Sequence, residues 1–213
     1  MSPYVLLVLA YAAGATPTSF WLGKAAYGVD LRTKGSGNLG GSNTFRVLGW
    51  RAALPVVLVD VGKGWLPVWY FAQIQAEASS SVWVLAYGGA AVVGHVFSFW
   101  VGFKGGKGIA TGAGALLALS PLAVGVALAV WLAVLGVSRI VSVASLTTVL
   151  TLPGIVYFLP GREDSAMLWF TGALAVFVVW SHRSNIGRLL RGEESSFRRD
   201  SSGPGPELGD DEA

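Results

Sequence analysis

An all-α, polytopic membrane protein with seven transmembrane helices, one of them short, is the fold that this sequence predicts. Three observations carry that expectation. Of 213 residues, 53% are hydrophobic and only 13% are charged. The apolar residues gather into repeated runs near the roughly 20 residues needed to cross a bilayer. When the connections between runs are assigned to alternate sides, all but Lys63 and Arg162 of the 15 Lys and Arg residues fall on one side. The positive-inside rule makes that side cytoplasmic, which puts the N-terminus outside and the C-terminus in the cytoplasm.

Span one covers Pro3 to Gly23. It has no basic n-region, carries Pro17 and runs into a charged loop without an A-x-A site, so it reads as a retained span rather than a signal peptide. The loop from Lys24 to Arg51 carries Lys24, Arg32, Lys34, Arg46 and Arg51 and is assigned inside. Span two, Ala52 to Ala72, holds Asp60 and Lys63 on one helical face, where pairing lessens the cost of burying either charge. A structural ion pair and a functional one remain equally open. The connection from Gln73 to Ser81 has Glu77 and no basic residue, which assigns it outside. Span three, Val82 to Val101, returns the chain to Lys104 and Lys107.

Ile109 to Val137 is apolar throughout, and a single span there would leave the Arg-rich C-terminus on the wrong side. Ser120-Pro121 offers a break, because proline disfavours helix in the preceding residue and lacks an N–H. The expected division is a short span, Ile109 to Leu119, and a second, Leu122 to Val137. At about 1.5 Å per residue the short one cannot cross a bilayer alone. Gly108, Gly112 and Gly114 should let neighbouring helices enclose it. Arg139 then lies inside, span six runs from Ile140 to Leu159, the turn from Pro160 to Ser165 lies outside, and span seven, Ala166 to Ser181, delivers His182 and Arg183 inside. Residues 1–194 are thus one membrane-embedded domain. Residues 195–213, dominated by Ser, Gly, Pro, Asp and Glu, are expected to be a disordered cytoplasmic tail.

Several chemistries are excluded. With no cysteine there are no disulfides, thiolate nucleophiles or zinc-thiolate sites. Two histidines and scattered carboxylates make a poor metal-ligand set. The basic residues punctuate hydrophobic spans instead of forming a nucleic-acid stripe. Ser138, Ser142 and Ser145 lack a histidine and carboxylate at triad spacing.

What remains is three polar stretches on the inner side. The central one, GHVFSFWVGFKGGKGIAT from Gly94 to Thr111, places Lys104, Gly105, Gly106, Lys107 and Gly108 before a helix. Glycine amides, two ammonium groups and a helix N-terminus together suit a phosphate. It is not a Walker A element, whose first glycine would fall at Val101 and whose Ser or Thr would fall at Gly108. The first stretch, GSGNLGGSNTFR from Gly35 to Arg46, contains G-x-G-x-x-G but follows a membrane span rather than a strand, so it is no dinucleotide fingerprint. Its exposed amides, Ser36, Asn38, Ser42, Asn43 and Arg46 could still bind phosphate, as could a merely solvated loop exist there. The third, HRSNIGRLLRGEE from His182 to Glu194, sets His182 beside Arg183 and Asn185, where the imidazole could orient a hydroxyl or accept its proton. His95, alone in an apolar span, reads as a packed residue.

These three stretches, in this order between hydrophobic spans, resemble the bacterial acyl-phosphate:glycerol-3-phosphate acyltransferases of the PlsY family. The likeness extends to Gly14 and Pro17, Asp30 and Arg32, Asp60 and Lys63, and Ser138 to Ser145. Two positions depart from it: Ser98 stands where the family usually has proline, and Ser42 where threonine is common. The resemblance implies a seven-helix fold that transfers a fatty acyl group from acyl phosphate to the 1-hydroxyl of sn-glycerol 3-phosphate, giving lysophosphatidic acid and phosphate. It implies catalytic roles for Ser36, Arg46, His182 and Asn185. It implies substrate or phosphate binding by Gly37, Asn38, Gly40, Asn43, Lys104, Gly105, Gly106, Lys107, Gly108 and Ser142, and structural roles for Asp60, Lys63 and Glu194. No cofactor, metal or nucleic acid is implied. Membrane lipids and a partner enzyme that makes acyl phosphate fit the same picture, at the inner membrane of a bacterial cell with the site facing the cytoplasm. An acyl-CoA enzyme with an H-x-x-x-x-D dyad does not fit, since the acid positions are Trp100 and Gly187. A transporter of phosphorylated solutes would need basic groups on both sides, and the outer connections hold only Arg162.

Overall fold

The computed structural model describes residues 1–74, 81–159 and 165–197. Among these, the regular elements are helical: α1 (Pro3–Gly14), α2 (Thr18–Tyr27), α3 (Gly41–Leu48), α4 (Trp50–Ile74), α5 (Ser81–Val96), a 3-10 turn (Phe99–Val101), α6 (Ile109–Leu119), α7 (Pro121–Ser138), α8 (Val141–Phe158), α9 (Ser165–Ser181) and α10 (Arg183–Leu190). Five stretches are long and apolar enough to cross a bilayer: Pro3–Tyr27, Trp50–Ile74, Ser81–Val101, Pro121–Ser138 and Val141–Phe158. The α9–α10 pair, bent by 59°, makes a sixth, and α6 is a shorter apolar helix of 11 residues. The expected outer connections around Glu77 and from Arg162 to Asp164 lie outside the described residues.

Span one departs from expectation, because it is not continuous. α1 ends at Gly14 and α2 begins after Pro17, whose missing N–H and fixed φ interrupt the ladder. Carbonyls freed at such a break need partners in a low-dielectric setting. Ser98 Oγ donates to Ala15 O, and Lys63 Nζ donates to Thr16 O at 2.7 Å. Lys63 also pairs with Asp60 at 2.8 Å, and Thr18 Oγ1 donates to Asp60 Oδ1 at 3.3 Å. The buried pair on α4 therefore closes the broken backbone of the first span.

Two helix crossings depend on backbone contact. At the crossing of α1 with α5, a Cβ on Gly14 would strike the Ala91 backbone, and one on Gly94 would strike Tyr11 O. At the crossing of α4 with α6, Gly64 meets the Thr111 backbone and Gly114 meets that of Val61. Small residues permit this approach, and the short α6 is enclosed as the sequence suggests. Of the three glycines expected to serve there, Gly114 does so. Gly112 makes ordinary contact with Leu174, and Gly108 (φ +87°) instead caps the start of α6. Ser120 breaks the long apolar run as N-cap of α7, accepting from the Ala123 amide at 3.4 Å, with Pro121 opening the helix. α7 leans chiefly on α8 and buries little else.

The chain stays packed past the boundary expected after Glu194. The Phe197 amide donates to Arg139 O at 2.6 Å, and its ring stacks on Phe45 of α3 with centroids 4.5 Å apart. Phe197 is the first large apolar residue of an otherwise polar segment, and its ring is what docks it. Residues 198–213 lie outside the described part.

Candidate functional site

The three glycine-and-basic stretches line one cleft of about 300 Å³. Ser36, Gly37 and Asn38 come from the loop before α3. Phe97, Phe103, Lys104, Gly105, Gly106 and Lys107 come from the α5–α6 loop. Trp180, Ser181, Arg183, Ser184 and Arg188 come from the α9–α10 bend. Cross-links hold the three together: Asn38 Nδ2 donates to Gly105 O at 3.4 Å, Ser181 Oγ to Lys107 O at 3.0 Å, and Lys107 Nζ to Asn185 Oδ1.

Four of the backbone amides in these loops are engaged by protein. Gly105 N donates to Val96 O at 2.9 Å and Gly106 N to His95 O at 3.0 Å, both carbonyls freed where α5 ends. Ser36 N donates to Asn43 Oδ1 at 2.9 Å, and Gly37 N to Lys34 O at 3.0 Å. The glycines thus let the loop press against α5. A Cβ at Gly105 would meet His95 O, and one at Gly106 would meet the His95 imidazole. The cations that line the cleft are Lys104 at the exposed rim, Lys107 deeper in, Arg183 and Arg188.

Other predicted residues sit behind this lining. Asn43 is buried, and both its amide protons are used, on Leu31 O (3.2 Å) and Lys34 O (3.1 Å). It shapes the first loop and has no side-chain donor left. Gly40 precedes α3 as its cap. Arg46, half-buried on α3, does not line the cleft, although its charge bears on Lys107. Ser142, Asn185 and Arg188 converge on Glu194: Ser142 Oγ donates to Oε1 at 2.8 Å, Asn185 Nδ2 to Oε1 at 2.5 Å, and Arg188 Nε to Oε2 at 2.6 Å. This carboxylate joins α8 to α10. Asp60 and Lys63 lie among the helices, at the break in span one.

The electrostatics follow from burial. Burial pushes the Lys107 ammonium down to about 8; Glu194 opposes the shift, and Arg188 and Arg46 reinforce it. Burial likewise pushes His182 down to about 4, helped by Lys107. His182 is 3% exposed and does not line the cleft. Its Nδ1 lies 2.8 Å from Val178 O, which requires the proton on Nδ1 and leaves Nε2 as the unprotonated nitrogen. Burial raises the Glu194 carboxyl, but its hydrogen bonds from Asn185, Arg188 and Ser142 outweigh that and hold it below its ordinary value.

Sequence reasoning did not single out Phe97, Phe103, Trp180, Ser181, Ser184 or Arg188 as lining residues. Ser184 and Arg188 were legible as one face, since i and i+4 align on a helix, and Ser181 closes the span before it. The aromatic wall carried no comparable signal, because Phe and Trp at a span end also read as an interfacial belt.

The family model described as glycerol-3-phosphate acyltransferase matches residues 4–192. The chain belongs to this family. The acyltransferase is 40% identical over 209 residues to the glycerol-3-phosphate acyltransferase of Salinibacter ruber, covering 91% of each chain. It is 37% identical over 228 residues to that of Chlorobaculum tepidum, covering 91% of this chain and 97% of the relative. Two crystal structures of PlsY (YgiH), an integral membrane glycerol 3-phosphate acyltransferase, share its fold. The glycerol 3-phosphate form matches with a TM-score of 0.85 at 33% identity, and the lysophosphatidic acid form with 0.82 at 32%; each covers 93% of this chain and 96% of the other. The acyltransferase is therefore a helical integral membrane enzyme of lipid biosynthesis.

Proposed function

We propose that this acyltransferase uses acyl phosphate as donor, moving its acyl group to the 1-hydroxyl of sn-glycerol 3-phosphate and releasing lysophosphatidic acid and inorganic phosphate. The observation that carries the reading is the union of three basic loops around one cleft with an aromatic wall of Phe97, Phe103 and Trp180. Two phosphorylated substrates need more than one cation, and an acyl chain needs an apolar flank. A glycerol 3-phosphate form and a lysophosphatidic acid form of a structural relative support the acceptor and product.

In this mechanism the glycerol hydroxyl oxygen attacks the acyl carbonyl carbon, the carbon–oxygen bond to phosphate breaks, and phosphate departs with the bonding pair. Acyl phosphate is already activated, so no acyl enzyme forms. Alignment and charge stabilisation supply the rate. Lys107, anchored to Asn185, holds a phosphate deep in the cleft; Lys104, Arg183 and Arg188 neutralise charge around it; Ser36 and Asn38 orient the hydroxyl. Arg46 adds positive potential from α3. The seclusion of His182 favours a positioning role, and the departing phosphate accepts the proton. The cleft faces the cytoplasm of a bacterial plasma membrane, by the placement of its Lys and Arg residues, where a partner enzyme supplies the donor.

The test is purified enzyme in detergent with glycerol 3-phosphate and either acyl phosphate or acyl-CoA. Lysophosphatidic acid with stoichiometric phosphate release is expected from acyl phosphate alone. Turnover with acyl-CoA alone overturns the donor assignment. For His182→Ala, near-normal kcat with a raised KM fits positioning, whereas loss of kcat at saturation restores the general base.

A further inference from the structure

We infer that His95, outside the cleft, is a positioning residue that sets the phosphate loop in place by occupying the volume a side chain at position 106 would take. His95 sits in the last turn of α5 and is 6% exposed. It grips Gly106 in two ways. Its carbonyl accepts the Gly106 amide at 3.0 Å. Its imidazole supplies the three atoms nearest to where a Gly106 Cβ would lie, Nε2, Cε1 and Cδ2, the first two too close for a real Cβ to coexist with the ring as placed.

Behind the ring stands Asp60, just beyond hydrogen-bond distance. Nδ1 lies 3.7 Å from Asp60 Oδ1. That carboxylate is held by Lys63 at 2.8 Å and Thr18 at 3.3 Å, and Lys63 is itself tied to Thr16 O at 2.7 Å. A polar block from α4, α2 and the break in span one thus stands behind His95, and His95 stands behind the loop. Gly106 lies between Lys104 and Lys107, so a displacement at 106 is carried to both ammonium groups. This arrangement explains the absence of a side chain at Gly106 without any ligand in its place. The inference rests on the reading that this loop binds the phosphate of glycerol 3-phosphate.

The experiment compares Gly106→Ala, His95→Ala and the double variant as purified full-length enzyme, with thermal unfolding and gel filtration as folding controls. A misplacement of about 1 Å in an active site can cost about 10²-fold, and a fall of that order in kcat/KM for glycerol 3-phosphate is expected for Gly106→Ala. The double variant gives the methyl group the room vacated by the ring and should recover at least about tenfold over Gly106→Ala, a coupling that independent sites do not show. Additive or worse behaviour in the double variant overturns the inference. If Gly106→Ala does not fold, His95→Ala decides alone: a raised KM for glycerol 3-phosphate with unaltered thermal unfolding supports positioning, and an unchanged KM refutes it. Recovery in the double variant with the KM change on acyl phosphate supports the role of His95 while refuting the assignment of this loop to glycerol 3-phosphate.

Discussion

Raising the pH from 7 to 9 should switch off the cleft through Lys107 while leaving the fold more stable, not less. Burial sets the Lys107 ammonium at about 8, against Glu194 and with Arg188 and Arg46. About nine-tenths of it is charged at pH 7 and about one-tenth at pH 9, for a group that titrates at about 8. The second ionisation of a phosphate monoester is near 6, and His182 lies at about 4, so neither changes charge over this interval. With the cation required, kcat/KM for glycerol 3-phosphate falls about tenfold per pH unit on the alkaline limb. Bound dianionic phosphate favours the charged amine, so the limb in kcat lies at higher pH than that in kcat/KM. The stability sign is opposite. The native pKa lies below the unfolded value of 10.5, so charging Lys107 opposes folding at pH below about 8, and that cost is relieved as pH rises from about 8 to 10.5. Loss of rate with a level or rising melting temperature therefore separates titration from unfolding. Lys107→Arg keeps the charge and should abolish the limb below about pH 10; its neutral-pH rate should fall, because a guanidinium does not reproduce the ammonium's contact with Asn185. Initial rates of phosphate release from about pH 6 to pH 10 check both statements. An identical alkaline limb in Lys107→Arg would refute the reasoning.

Glu194→Gln removes the charge from three converging hydrogen bonds and should cost about 1.5–3 kcal/mol of stability, read as a lower melting temperature in detergent. In the wild type that contribution is complete above the ordinary value of 4.5 and is lost as pH falls through the lower native pKa, so the gap between the two proteins should close on acidification. Lys63→Met strands the Asp60 carboxylate and frees Thr16 O, a loss of about 3–5 kcal/mol; adding Asp60→Leu should recover part of it, and no recovery would mean that Lys63 acts chiefly through Thr16 O. Gly114→Ala forces α6 away from the Val61 backbone and should destabilise by about 1–3 kcal/mol. Gly125→Ala, with open space around its Cβ position, should be harmless by the same thermal assay.

The placement of the three loops was legible because Lys and Arg positions report topology independently of packing. The break at Ser120-Pro121 was legible for the same kind of reason, since proline acts on its own neighbours. Pro17 sends the same signal in span one, yet a break there is tolerable because Lys63 and Ser98 reach the freed carbonyls of Thr16 and Ala15 from 47 and 83 residues away in sequence. The loop-shaping bonds of Asn43 were not legible, because its three partners lie in the irregular loop it organises, where spacing predicts nothing. The glycines of the second loop expose the deeper ambiguity. A glycine lets something come close, and the sequence does not say whether that is a phosphate or the protein's own backbone. At Gly105 and Gly106 it is α5, through the carbonyls of Val96 and His95. The amides of Gly105 and Gly106 are thereby spent on the protein, and on the proposed reading a larger share of phosphate recognition falls to ammonium and guanidinium groups, which titrate, screen and move. That larger share is why pH and the support behind the loop should bear on how this cleft holds phosphate.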